Sequence, residues 1–265
     1  MKDNSLLSVN LFFLLVYWRI LNIRRTTMIF LCFSVKDRLP LINDFYHFMV
    51  NFGLDIWYDR KNIYLGDNRK NTNIKNGVKN KNIKYAIIFF SRNFENGNIC
   101  LEEYKILINR YKDKKVFLFP VFISNVPVKM HKKFEILKKL VYKQINDQSD
   151  FLALALHIIA KITSDETNNL KYQSIKDIIV KFDDKKSLYY KLIIEYQNIQ
   201  HTNYNMKISF LFAVYIVISH NKTINYFHYK TMNFIYHQNC LNTLIDEKRE
   251  LQIMENIIIY EFVLL

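Results

Sequence analysis

One carboxylate stands where a parallel sheet would present it. The apolar run Ile83 to Phe90 is followed at once by Ser91-Arg92-Asn93-Phe94, a short polar loop, and then Cys100-Leu101-Glu102-Glu103, which opens a helix. A strand buried on both faces reads as a continuous apolar run, and open α/β sheets bind ligands at the carboxyl edge of their strands. Glu103 is therefore expected at a ligand-binding edge. A lone carboxylate there can hydrogen-bond hydroxyls and stabilise positive charge as it develops. A glutamate in the first turn of a helix is also favoured by the positive end of the helix dipole, and Glu102 beside it would serve that purpose equally.

Two upstream stretches have matching positions. Ile29 to Asp37, IFLCFSVKD, is an apolar strand running into a polar turn, and Gly53 to Asp67, GLDIWYDRKNIYLGD, is a second strand followed by a loop. Together the four stretches resemble a Toll/interleukin-1 receptor (TIR) domain of the bacterial and plant kinds. The residues that fall on the family pattern, in order, are Ser34, Asp37, Trp57, Tyr58, Asp59, Gly66, Asp67, Ser91, Asn93, Phe94, Cys100 and Glu103. One departure is plain: Ile99 stands where the family has a tryptophan four residues before its functional glutamate.

The resemblance implies a flavodoxin-like, doubly wound parallel five-stranded sheet and, in the enzymatic branch of the family, cleavage of the nicotinamide–ribose bond of NAD+. NAD+ is then the substrate, with no cofactor and no metal. Nicotinamide leaves as a neutral ring from a cationic one, so no general acid is needed, in contrast to ordinary glycoside hydrolysis with its two carboxyl groups. Glu103 is the implied catalytic residue. Phe33 and Ser34 are expected at the nicotinamide pocket, and Asp37, Asp59 and Ser91 as further substrate-binding positions. Trp57 and Tyr58 either stack on a base or pack beneath the following loop. That loop, with Arg60, Lys61, Gly66 and Asp67, corresponds to the family's contact with a neighbouring TIR domain, so self-association would complete the site. The product is linear ADP-ribose or a cyclic form, depending on whether water or an adenine nitrogen captures the ribosyl cation. The other reading open at this point is a non-catalytic adaptor that transmits a signal through contacts between TIR domains.

The elements that must position these residues alternate. Strands are expected over Met28–Ser34, Leu54–Tyr58, Ile83–Phe90, Val116–Ser124 and, within 140–145, a short fifth. Pro120 inside the fourth suggests an irregularity or an edge position. Leu41, Phe45, Phe48 and Phe52 repeat at three- and four-residue steps, predicting a helix over Leu39–Phe52 that stops at Gly53. Further helices are expected over Leu101–Tyr111 and Phe151–Ile162. Strands alternating with helices imply parallel βαβ units. The domain is set at 28–163, a polar linker at 164–169 (SDETNN), and a mainly helical region of no recognised family at 170–265. The uncharged run Ile208–Ile218 is too short to span a bilayer, which needs roughly 20 residues, and reads as a buried bundle helix.

Charge is uneven along the 265 residues. The net charge is +14, and residues 1–164 hold 27 Lys and Arg against 13 Asp and Glu, whereas 165–265 hold 11 of each. The densest basic stretch, Arg60 to Lys84, carries eight Lys and Arg against Asp67 alone. It is either a solvated surface or an attraction for a phosphate-bearing ligand or acidic partner; no nucleic-acid motif accompanies it, so no nucleic-acid partner is expected. Three cysteines far apart, Cys32, Cys100 and Cys240, argue for a reducing, cytoplasmic compartment and against disulfides or zinc. Residues 1–27 are expected to be either an upstream extension from a misplaced start or a short amphipathic lead-in helix. The eight-residue apolar run Leu11–Trp18 is too short to cross a membrane and has its arginines on the wrong side for a signal peptide. His201, His220, His228 and His237 share no carboxylate in register, so they are expected as surface or core histidines rather than metal ligands. The tail itself is expected to sense an upstream signal or to drive oligomerisation.

Overall fold

The structure, a computed structural model, describes residues 28–123, 134, 136, 139–181 and 185–264. The expected N-terminal segment 1–27 lies outside the described residues. A boundary between two compact units falls between Ile158 and Ile159, and each unit is taken by itself.

The first unit alternates strand and helix in chain order: β1 (Met28–Cys32), α1 (Asn43–Asn51), β2 (Ile56–Trp57), α2 (Asp59–Asn62), α3 (Arg69–Thr72), β3 (Ile83–Phe90), α4 (Arg92–Glu95), α5 (Asn98–Lys112), β4 (Phe117–Ile123) and β5 (Lys143–Ile145). All neighbouring strands are parallel, in the order β2-β1-β3-β4-β5. β3 lies at the centre, and every residue of it except Lys84 is buried. Such full burial follows from helices on both faces. On one face, Phe30, Ile88 and Phe90 pack in a cluster with Tyr104 and Leu107 of α5. On the other, Phe45 of α1 meets Phe89 and Phe151 with ring centroids 5.5 and 5.2 Å apart. Each such side chain contributes about 1.5–3 kcal/mol by leaving water.

Several boundaries differ from expectation for identifiable reasons. The first helix begins at Asn43 rather than Leu39. Pro40 disfavours helical backbone in the residue before it, and Leu39 is accordingly extended, with φ −111° and ψ 139°. β2 keeps only Ile56 and Trp57 in the ladder. α5 begins at Asn98, three residues earlier than expected. Pro120 lies in an interior strand, opposite Ile88 of β3. The ladder to β5 starts one residue later, at Val121, so on that side Pro120 lies outside the paired stretch.

The second unit is helical: it takes the C-terminal part of α6 (Phe151–Asn168), then α7 (Ile175–Ile178), α8 (Leu188–Asn198), α9 (Tyr204–Asn221), α10 (Tyr226–Cys240) and α11 (Glu247–Val263). The polar run 164–169, expected as a linker, is helical through Asn168. No Gly or Pro interrupts it, and both Thr167 within it and Thr163 just before it are buried, donating their hydroxyls to the Thr163 and Ile159 carbonyls at 3.1 and 3.0 Å. Ser187, Asn203, Asn225 and Asp246 cap the following helices by accepting a backbone N–H, each such cap contributing about 1 kcal/mol. The uncharged run of α9 is core: Ile208, Leu211, Tyr215 and Ile218 are fully buried. Among the described residues no helix is long and apolar enough to cross a membrane.

Three of the four tail histidines are exposed. His228 is not, and carboxylates do reach it: its ring nitrogens lie 2.7 Å from Glu261 and 3.0 Å from Glu166. The two carboxylates take opposite nitrogens of one ring and cannot converge on an ion, and among the described residues no group of three acidic, His or Cys side chains could hold a metal.

Candidate active site

Glu103 and Glu102 are adjacent and differently placed. Because α5 starts at Asn98, both lie in its second turn, beyond the reach of the helix-dipole effect that confines itself to the first. Glu102 is on the surface, 2.8 Å from Lys70. Glu103 points inward, 3% exposed, at the floor of a cleft of about 430 Å³. The cleft opens at the carboxyl ends of β1 and β2, between the turn after β1, helices α2 and α3, and the start of α5.

Both carboxyl oxygens of Glu103 face donors, although the Cys32 thiol lies equally near the Cys100 carbonyl, at 3.7 Å. Asn73 donates its Nδ2 to Oε1, and the Cys32 thiol, at the end of β1, lies 3.7 Å from Oε2. Among the described residues none forms an ion pair with it, and Arg69 acts on it only through its charge. Burial pushes the Glu103 carboxyl up from 4.5 to about 8; the Asn73 hydrogen bond opposes this, the Asp59 charge adds to it, and Cys32 and Arg69 pull down. The same burial raises the Cys100 thiol to about 11, so the cysteines beside the cleft are protonated and unreactive.

Of the residues expected at the site, Phe33, Ser34, Asp59 and Glu103 line the cleft together. Asp59 is buried and holds two guanidinium groups on one oxygen, Arg38 at 2.5 Å and Arg69 at 2.6 Å. Asp37, Trp57, Tyr58 and Ser91 do not line it. Asp37 ties the turn after β1 to the turn after β3, accepting from the Ser91 hydroxyl and, at 2.6 Å, from Asn93. Ser91 in turn caps α4 by accepting the Phe94 N–H at 3.0 Å. Tyr58 is buried and stacked on Tyr46 at 4.5 Å, with Arg38 over its ring. Trp57 packs beneath the loop, its Nε1 donating to Asn73 Oδ1 at 2.7 Å. Both aromatics are therefore structural supports rather than stacking platforms.

The loop after β2 presents a different surface. Tyr64 and Leu65 are exposed at its tip, Arg60 and Lys61 flank it, Asp67 accepts the Tyr64 N–H at 2.9 Å, and Gly66 has φ +95°, a conformation only glycine adopts readily. Ile99, in place of the family's tryptophan, lies on the cleft rim and is 39% exposed. Sequence reasoning missed Arg38 and Asn73. Arg38 follows directly on the Ser-x-x-Asp motif; Asn73 carries no local signal, one asparagine in a stretch crowded with Asn and Lys.

The family model described as TIR domain matches residues 29–156. No curated protein matches the chain significantly. Among solved structures, the TIR domain of the Toll-related receptor TRR-2 from the lower metazoan Hydra magnipapillata aligns at 18% identity and a TM-score of 0.40, covering 51% of this chain and 96% of that one. The matched residues span the strands and helices that build the cleft, and over them this chain carries a domain of the TIR family.

Proposed function

We propose that the TIR domain is an NAD+ glycohydrolase with Glu103 as its catalytic residue. One observation carries the reading: a carboxyl group is buried at the floor of an open cleft with no ion-pair partner among the described residues, where a structural role would be better served by the exposed, ion-paired geometry of Glu102 next to it. Perturbed carboxyl groups in clefts concentrate at functional sites.

The chemistry follows from the charges. The C–N bond between nicotinamide and ribose breaks, the electron pair leaves with nicotinamide and neutralises its ring, and positive charge develops on the ribose. Glu103 hydrogen-bonds the ribose hydroxyls and stabilises that cation where it forms. Burial keeps Glu103 mostly protonated at neutral pH; the cationic nicotinamide riboside favours its ionised form, so substrate binding drives proton loss. Arg69 and Lys36 on the cleft wall carry positive charge suited to the diphosphate. Water or an adenine nitrogen then captures the ribosyl cation. Self-association through the loop bearing Tyr64 and Leu65 would bring a second domain against the site, and such an assembly suits a cytoplasmic immune or antiphage effector triggered through its helical tail.

A second reading, a non-catalytic adaptor working through TIR contacts, is favoured by Ile99, which leaves the cleft rim without the family's aromatic. Nicotinamide release by concentrated protein, with and without Glu103→Ala, separates the two. Release abolished by the substitution supports the hydrolase; no release from the natural chain under forced assembly supports the adaptor.

A further inference from the structure

We propose that Asn73 is a positioning residue for Glu103 and that Trp57 sets the orientation of its amide, so that an indole–amide–carboxyl relay beneath the cleft fixes the reacting oxygen and its protonation. The inference rests on the hydrolase reading for its consequence on rate, and on geometry alone for the relay itself.

The order of the relay is dictated by donor chemistry. An indole Nε1–H can only donate, so the atom of Asn73 facing Trp57 at 2.7 Å is its oxygen. The amide NH2 is thereby turned away from Trp57 and toward Glu103 Oε1, to which it donates. Swapping the two ends of the amide would set donor against donor at the indole. Asn73 is 7% exposed and Trp57 likewise, so water does not replace either contact. With Cys32 on Oε2, both oxygens are held from below, leaving their remaining lone pairs to the cleft.

A further residue keeps the indole in place. A Cβ built on Gly77 would lie 2.6 Å from Trp57 Nε1 and 2.9 Å from the Phe30 ring. Real atoms do not approach so closely, so a side chain at 77 would displace the indole that orients Asn73. The segment carrying Asn73 thus contains its own clearance for Trp57, four residues further along. Asn73 and Glu103 line the cleft, as Ile99 does, whereas Trp57 stands behind Asn73 and outside the lining.

A hydrogen bond donated to a carboxyl oxygen favours the ionised form. Removing it raises the pH at which Glu103 ionises. The titratable groups facing Glu103 are Cys32 from β1, Asp59 from α2, Arg69 from α3 and Cys100 on its own helix; none of them is altered by substituting Asn73 or Trp57.

The experiment is an infrared pH titration of the full chain that follows the protonated-carboxyl band of Glu103, identified by its loss in Glu103→Gln. Asn73→Ala is expected to raise the midpoint by about one pH unit, a tenfold change in ionisation constant. Trp57→Phe, which removes the N–H together with part of the ring and keeps an aromatic side chain in the core, is expected to raise it by a smaller amount in the same direction. A midpoint in Trp57→Phe equal to that of the natural chain overturns the role of the indole, and an unchanged midpoint in Asn73→Ala overturns the relay as a whole. If Asn73→Ala does not fold, Trp57→Phe decides alone. Nicotinamide release measured in parallel is expected to show its rate-against-pH curve displaced with the midpoint. Shifted midpoints with no release from the natural chain keep the relay and reject the hydrolase; release with unshifted midpoints does the reverse.

Discussion

Two glutamates, one in each unit, are buried to the same degree and arranged in opposite ways. Glu103 in the TIR domain is 3% exposed, and its donors among the described residues, Asn73 and Cys32, are neutral. Glu261 in the helical unit is 2% exposed and meets His228 at 2.7 Å and Lys222 at 2.7 Å. Burial pushes both carboxyl groups upward, but at Glu261 the hydrogen bonds and charges of His228 and Lys222 outweigh it and hold the group below its ordinary value. His228 is correspondingly raised to about 9, its two carboxylates outweighing the burial that would lower it. A buried charge that is fully paired serves the fold. A carboxyl group buried with no ion-pair partner among the described residues instead holds its proton, and its ionisation works against folding.

The largest effect should come from unpairing the helical unit. Glu261→Ala leaves His228 and Lys222 with one carboxylate fewer in a buried site, and breaking such a network costs about 3–5 kcal/mol. Chemical denaturation followed by helical circular dichroism is expected to show the loss, and a change below about 1 kcal/mol would mean that water already solvates the cluster. The pH dependence has a definite sign. The contribution of His228 is complete below 6.5 and is lost as pH rises through about 9; that of Glu261 is present above 4.5 and is lost as the pH falls through its depressed folded value.

Next in size, and opposite in sign, is Glu103→Gln. The folded carboxyl holds its proton to about pH 8 while the unfolded one releases it near 4.5. Folding therefore weakens as pH rises between those values. The amide has nothing to ionise and keeps a partner for Asn73. The substitution is expected to stabilise the TIR domain by about 1–3 kcal/mol at pH 8 and by almost nothing at pH 4.5, while abolishing nicotinamide release. Denaturant midpoints at the two pH values check this. Stabilisation with loss of activity is the mark of a functional group held at the fold's expense; equal stabilities at both pH values would mean that Glu103 titrates normally.

The two regions also differ in how far they could be read in advance. The TIR sheet was legible because strands buried on both faces are continuous apolar runs: β3 begins at Ile83 and ends at Phe90, as the hydrophobicity alone suggests. Helix starts were not, since Pro40 delays α1 and a weak N-terminus hides the start of α5. The polar end of α6 reads as a linker because its buried threonines satisfy their hydroxyls within the helix, which composition does not reveal. Glu103, Ser34 and Asp59 follow a family pattern and Phe33 adjoins Ser34, so all four could be placed near the cleft that they line. Asn73 and the Glu166–His228–Glu261 cluster could not: their partners lie 30, 62 and 33 residues away along the chain, and only the fold brings them together.

The smallest expected effect is also the sharpest control. Glu102 differs from Glu103 by one position and shares its side-chain type and its turn of the helix, so a general role for acidic groups on this helix would be felt at both. Its ion pair with Lys70 is exposed on both sides, 55% and 41%. Solvent screens such a pair and the side chains give up freedom to hold it, leaving about 0–1 kcal/mol. Glu102→Ala should therefore change the denaturation midpoint little, and any change should shrink further as salt is raised toward 1 M, where charges interact over only about 3 Å. Nicotinamide release should persist. Should Glu102→Ala instead abolish release while Glu103→Gln spares it, the exposed glutamate would be the reacting one, and the burial of Glu103 would be a matter of packing alone.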